Sequence, residues 1–205
     1  IALSTNFLES RFLYGDKTIY ESTRSAYLKT LSPEIFFREK ELEMHQRRRK
    51  HGDTPYELEP DIKDSPGGLR DIQVVLWCAK AAGIGDTPAD LIREGILTER
   101  ECSEFIDARS FLSDLRIRLQ LLSGRAENRL LFEKQIPLAQ SLGIEGTTGL
   151  DAAELLMKRY YRNAHNVELL NAIAMRSLEE RLFPEDADAI QPVTVSPGLI
   201  THGQT

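Results

Sequence analysis

Residue types that carry self-sufficient chemistry are scarce in this chain. Its 205 residues include two cysteines, one tryptophan and four histidines. Cys78 and Cys102 form no CxxC pair and stand at no metal-ligand spacing from a histidine, so each reads as a small buried hydrophobe in a reducing, cytoplasmic setting. No HExxH, His-Asp doublet or Cys/His cluster surrounds His45, His51, His165 or His202, and no metal site is assigned. No GxSxG supports a serine nucleophile. An excess of positive charge is missing too: 26 Lys and Arg against 32 Asp and Glu give a net charge of -6. That balance excludes a protein that wraps nucleic acid and confines any anion site to a local patch. No apolar run approaches the roughly 20 residues of a membrane-spanning helix, and no basic segment followed by an apolar one opens the chain as a signal peptide would. The strand and helix alternation of a nucleotide-binding sheet is absent. Opening at Ile1 and closing on a polar tail, the chain reads as a piece of something longer.

What is present is the periodicity of amphipathic helices, divided by capping signals. Ser4 to Tyr14 reads as a helix ending at Gly15, and Asp16 caps a second one that runs to about Leu31. Ser32 and Pro33 open a third, whose Ile35, Phe36, Phe37 and Leu42 predict a buried first half before the wet, basic run from Arg47 to His51. A helix carrying Leu69, Ile72, Val75, Leu76 and Ala79 runs to Gly83, and a short one follows Thr87 and Pro88. Thr98 with Glu101 makes a capping box for a long helix with its stripe at Phe105, Ala108, Leu112, Leu115, Leu119 and Leu122, stopped by Gly124. A short helix ends at Gly143. Asp151 with Glu154 opens the longest run, to about Leu182, with Leu156, Tyr160, Ala164, Val167, Leu170, Ala174 and Leu178 on one face. From Pro184 the helical signal stops, leaving at most short extended pieces around Val193 to Val195. The expected fold is all-α, a bundle of about seven to nine helices with one Gly-rich loop and an irregular C-terminal tail.

That loop, EPDIKDSPGGLRD from Glu59 to Asp71, is the one abrupt break in the pattern. Ser65 reads as an N-cap and Pro66 as the first helical residue, which puts Gly67 and Gly68 in the first turn. There unpaired N–H groups and the helix dipole attract anions, and missing Cβ atoms let a ligand come close. Lys63 and Arg70 add two cations suited to phosphate oxygens. Asp61, Asp64 and Asp71 serve either as salt-bridge partners in a purely structural turn or as supports that hold those cations for a ligand. A tight turn or a close helix contact accounts for the glycines equally well. The basic run at Arg47 to His51 reads as a solvated helix end in preference to a contact for a nucleotide or an acidic partner, and Lys158, Arg159 and Arg162 beside Tyr160 and Tyr161 read as the rim of a core stripe.

EPDIKDSPGGLRDIQ, with NFLESRFLYGD near the start, FFREKELEMHQRRRKHGDTPYELEPDIK ahead of the loop, and GRAENRLLF followed by MKRYYRNAHNVELLN, resembles the bifunctional uridylyltransferase/uridylyl-removing enzymes of bacterial nitrogen control. The likeness runs in order from about Ser4 to Leu182. A GG-[IL]-R-[DE]-I core like Gly67 to Ile72 also occurs in the related glutamine synthetase adenylyltransferases. The resemblance implies transfer of UMP from UTP to a tyrosine of the PII signalling protein, with Mg²⁺ held by carboxylates of a nucleotidyltransferase sheet. The family's GS motif followed by a DxD pair on a strand is absent here, as are its His-Asp doublet and its glutamine-sensing modules. No catalytic residue and no metal ligand is therefore expected in this chain. Residues 1–31 are expected to link to the catalytic sheet, 32–183 to form the helical uridylyltransferase-type domain, and 184–205 to lead toward a hydrolase domain. On this reading the nucleotide- or phosphate-binding candidates are Lys63, Gly67, Gly68 and Arg70, supported by Asp61 and Asp71. The expected partners are PII, UTP and the neighbouring domains, with no nucleic acid and no membrane.

Overall fold

The computed structural model describes residues 2–52, 54–85 and 87–184. These contain eight α-helices and no strand: α1 (Ala2–Leu8), α2 (Lys17–Thr30), α3 (Pro33–Lys50), α4 (Leu69–Ala81), α5 (Pro88–Arg93), α6 (Glu99–Ser123), α7 (Phe132–Ser141) and α8 (Gly149–Leu182). The extended pieces expected around Val193 lie outside the described residues.

The caps show why most boundaries fall where they do. The side chain of Asp16 accepts from the N–H groups of Thr18 and Ile19, and that of Ser32 accepts from Ile35 with Pro33 in the first turn. Thr98 and Glu101 cap each other reciprocally, and Gly124 ends α6 in the left-handed region at φ 63°. Three expectations need correction. The first helix stops at Leu8 rather than Tyr14, because Ser10 turns back onto Phe7 O and Tyr20 Oη donates to Ser10 O at 2.7 Å. The longest helix is capped by Thr148, with Asp151 as the reciprocal partner instead of the cap itself. The helix after the Gly-rich loop is capped by Gly68 and begins at Leu69, not at Ser65 and Pro66.

α8, at about 1.5 Å per residue, is roughly 50 Å long and forms the spine, packing against α7, α6, α4 and α3. Leu156, Tyr160, Ala164, Val167, Leu170, Ala174 and Leu178, spaced at three and four, are all buried along it. They meet Phe105, Ala108, Leu112, Leu115 and Leu119 of α6 and Ile72, Val75 and Ala79 of α4 in one continuous core that also takes in Leu8. Leu122 falls off this stripe and is exposed, as are Ile35 and Leu42 of α3. The inward face of α3 is instead Phe36, Phe37, Lys40 and Met44. The polar second half of α3 is not simply wet, since Arg47 and Arg48 turn inward and are only about 14–15% exposed. Both cysteines are free and buried. Burial pushes the Cys78 thiol up to about 12 and raises that of Cys102.

Candidate functional site

The chain from Glu59 to Arg70 is held by its own carbonyls and carboxylates. Asp61 accepts from the backbone N–H of Lys63 and of Asp64, each at 2.8 Å, which folds the segment into a turn. Its backbone makes an isolated antiparallel bridge with Arg129, flanked by Ile62 N–H donating to Asn128 O and Leu130 N–H donating to Pro60 O. The segment GRAENRLLF is thus stitched to the Gly-rich loop although some 65 residues separate them.

The start of α4 is internally satisfied. Gly68 donates to Ser65 O, Leu69 to Ile62 O, Arg70 to Lys63 O and Asp71 to Gly68 O, at 2.8–3.1 Å. The remaining N–H, that of Gly67, donates to Asp71 Oδ2 at 2.9 Å. Ser65, Pro66, Gly67 and Gly68 are all buried. A Cβ on Gly67, whose φ is +72°, would lie 2.0 Å from Ala164 O of α8, and one on Gly68 would lie 2.8–2.9 Å from the carbonyls of Lys63, Ser65 and Ile62. The glycines let α4 press against the spine, so the close approach they permit is to the protein's own backbone.

Asp71 is fully buried and carries most of the local electrostatics. Its Oδ1 accepts from Arg47 Nη2 at 2.6 Å and its Oδ2 from Arg48 Nη2 at 2.8 Å. Arg47 also donates to Asp64 O, Arg48 to Asn171 Oδ1, and Asn171 Nδ2 to Asp71 O at 2.9 Å. One carboxylate therefore ties the C-terminal part of α3, the loop, the first turn of α4 and the middle of α8. A buried charge persists only when paired and hydrogen-bonded in this way.

The two cations predicted from the loop sit nearer the surface. Lys63 reaches Asp64 at 3.4 Å. Arg70 reaches Asp64 with Nε at 3.4 Å, donates to Gln73 with Nη1 at 3.0 Å, and lies 5.2 Å from the centre of the Trp77 ring. Arg70 opens into a groove of about 500 Å³ lined also by Lys40, Arg47, Lys50, Asp64 and Trp77. Neither Lys63 nor the glycines line it. Of the sequence candidates, then, Arg70 reaches the groove, Lys63 stands beside it through Asp64, and Gly67, Gly68, Asp61 and Asp71 form the support behind.

The sequence reading did not single out Lys40, Asn171 or Trp77, and it placed Arg47 and Arg48 on a solvated helix end, whereas both turn inward. A signal existed for three of them: Phe37, Lys40, Met44, Arg47 and Arg48 recur at three and four, continuing the core-facing stripe of α3 into its charged half. The second basic-aromatic group is structural. Tyr160 is wholly buried, Tyr161 donates to Glu57 O at 2.9 Å, and Arg159 stacks over Phe111.

Among the described residues no group of three or more His, Cys, Asp or Glu is placed to hold a metal ion. Asp61 is engaged by backbone N–H groups and Asp71 by two arginines, so the loop acids do not suit a divalent cation. Among the same residues no helix is long and apolar enough to cross a membrane.

The sequence matches the family described as GlnD PII-uridylyltransferase over residues 35–175. A protein of Cupriavidus pinatubonensis named bifunctional uridylyltransferase/uridylyl-removing enzyme is 42% identical over 193 residues, which cover 94% of this chain and 22% of that protein. Proteins of the same name are 46% identical over 190 residues in Bordetella parapertussis, covering 92% and 22%, and 43% identical over 186 residues in Nitrosospira multiformis, covering 91% and 21%. The chain spans about a fifth of the length of the curated relatives it matches. No solved structure matches it.

Proposed function

Because the chain belongs to the GlnD PII-uridylyltransferase family, we propose that it is the helical portion of a protein nucleotidyltransferase that transfers UMP from UTP to a tyrosine of the PII signalling protein, releasing pyrophosphate. The observation that carries this is the family match over residues 35–175, which contains both the Gly-rich loop and the GRAENRLLF segment stitched to it. Mg²⁺ and the carboxylates that bind it belong to a catalytic sheet outside these residues, and the protein works in the bacterial cytoplasm. This chain closes one side of the nucleotide cleft. Lys63 and Arg70 face the phosphates from a rigid base set by Asp61, Asp71 and the packed glycines, where cations stabilise charge that develops on the leaving group.

The test is whether the full-length protein adds UMP to a tyrosine of PII when given UTP and Mg²⁺, read as a mass increase on the intact PII subunit and mapped by peptide sequencing. Modification of a different acceptor, or none, removes the proposal.

A second reading, a docking surface that binds PII or relays a glutamine signal between domains, is favoured by one feature. Ile106, Ile117 and Leu121 are exposed and, at 3.6 residues per turn, share the face of α6 opposite its core stripe. On this reading the 205-residue chain binds PII without nucleotide. Absence of binding in a pull-down with purified PII counts against it.

A further inference from the structure

The groove beside the loop has a composition that the phosphate-facing role of Lys63 and Arg70 does not explain. Four cations, Lys40, Arg47, Lys50 and Arg70, line it against two acids, Glu43 and Asp64, in a chain whose overall charge is -6. Lys40 is the unusual member. Its side chain is only 3% exposed, where a lysine is almost never found without strong compensation. It pairs with Glu43 at 2.7 Å, but that carboxylate is half exposed, so solvent weakens the pair. The ammonium also lies 4.7 Å from the centre of the Trp77 ring and 5.8 Å from that of Phe36.

Arg70 approaches the same indole at 5.2 Å, and the ring is held in place by Nε1–H donating to Glu9 at 2.6 Å. Two cations are thus gathered around one fixed aromatic platform. Each has a separate acid, Glu43 for Lys40 and Asp64 for Arg70, and the second contact is long at 3.4 Å. Asp64 divides itself between Lys63 and Arg70 at that same distance, an arrangement a multivalent anion can displace at small cost. The backbone N–H groups at the head of α4 are already used, which leaves side chains as the only anion contacts the loop offers.

We infer that this groove between α1, α3 and the head of α4 is a subsite for a phosphate chain, either the triphosphate of a nucleotide or free pyrophosphate, contacted by Lys40, Lys50 and Arg70 and supported by Arg47. The inference rests on the uridylyltransferase reading and gives that reading its contact residues. A volume of about 500 Å³ accommodates a hydrated di- or triphosphate. Arg47 is a positioning residue, since its guanidinium is committed to Asp71 and to Asp64 O.

Calorimetric titration of the 205-residue chain with inorganic pyrophosphate, and separately with α,β-methylene UTP, tests this. Saturable binding of at least one probe is expected, weakening as salt rises and falling about tenfold or more in Arg70→Gln and in Lys50→Gln. Lys50 is exposed, so its variant keeps the test valid if Lys40→Met fails to fold. Lys158→Gln, on α8 but outside the groove lining, is expected to bind as the parent does. Binding of both probes identifies the triphosphate as the ligand, whereas binding of pyrophosphate alone identifies the leaving group. Absence of binding, or equal binding in every variant, overturns the inference. A full-length enzyme that uridylylates PII normally while the chain binds neither probe sinks the groove alone. Phosphate binding without PII modification sinks the reaction and leaves the groove.

Discussion

At the scale of single residues the sharpest demands fall on Gly67 and Asp71. Gly67 combines φ +72° with a backbone so close to the spine that any Cβ would fall 2.0 Å from Ala164 O. Alanine there meets both a left-handed backbone penalty and overpacking, each about 1–3 kcal/mol. Gly67→Ala is expected to lower unfolding free energy by about 2–4 kcal/mol in a urea titration, with a normal m-value if the fold survives. Asp71→Ala strands Arg47, Arg48 and the Gly67 N–H together. Breaking a buried ion pair from one side costs about 3–5 kcal/mol, and the same titration reads it. The hydroxyl of Tyr160 is the opposite case, buried without a hydrogen-bond partner. An unsatisfied buried hydroxyl costs about 1–3 kcal/mol, so Tyr160→Phe is expected to leave stability unchanged or raise it by about 1 kcal/mol. A loss of that size would reveal a partner for the hydroxyl.

At the scale of elements, α4 carries a pH dependence of its own. Cys78 lies on its buried face, and burial raises the thiol from an ordinary value of 9.0 to about 12. The folded form holds its proton where the unfolded form has lost it, so the contribution is complete below about pH 9 and is lost as pH climbs toward 12. Alkaline unfolding followed by circular dichroism is expected to show a steeper decline over that window in the parent than in Cys78→Ala. Native protein at about pH 8 is expected to resist iodoacetamide at this thiol.

Most elements whose ends are marked by Ser, Thr or Asp were legible in the sequence, because a cap is a local interaction that needs no knowledge of the rest of the chain; α8 is the exception, its Thr148 cap having been passed over for Asp151. α2, α3, α5 and α6 all start where their caps imply. The head of α4 and the end of α1 were misplaced. Ser65 is drawn away from capping by Asp61 N–H and Glu57, and Tyr20 draws Ser10 out of the helix, contacts between near neighbours in sequence that follow no capping pattern. The candidate site divides in the same way. Lys63 and Arg70 were visible as cations next to glycines. The spacing in α3 hinted that Lys40 and Arg48 turn inward but not what they meet, since Trp77, Asp71 and Asn171 lie on other helices, and Asn171 is 100 residues from Asp71.

At the scale of the whole molecule, the loop that interrupts the helical pattern joins three helices rather than separating them. α3 brings the arginines, α4 the carboxylate and α8 the backbone against which the glycines press. Their joint effect is to set Arg70 and Lys63 on a firm base at one surface of the bundle. The chain spans about a fifth of its relatives' length, and on the proposed reading the carboxylates for nucleotidyl transfer belong to the remainder.

The most direct measurement is the initial rate of UMP transfer from UTP to PII by the full-length enzyme carrying Lys63→Ala together with Arg70→Ala. On the proposed reading, removal of these two cations is expected to reduce kcat/KM by about a hundredfold or more, at roughly 1.4 kcal/mol for each factor of ten, with the melting temperature nearly unchanged because both side chains lie near the surface. Transfer at the parental rate, with UTP binding intact, would contradict the assignment of this helical segment to the phosphate side of the cleft.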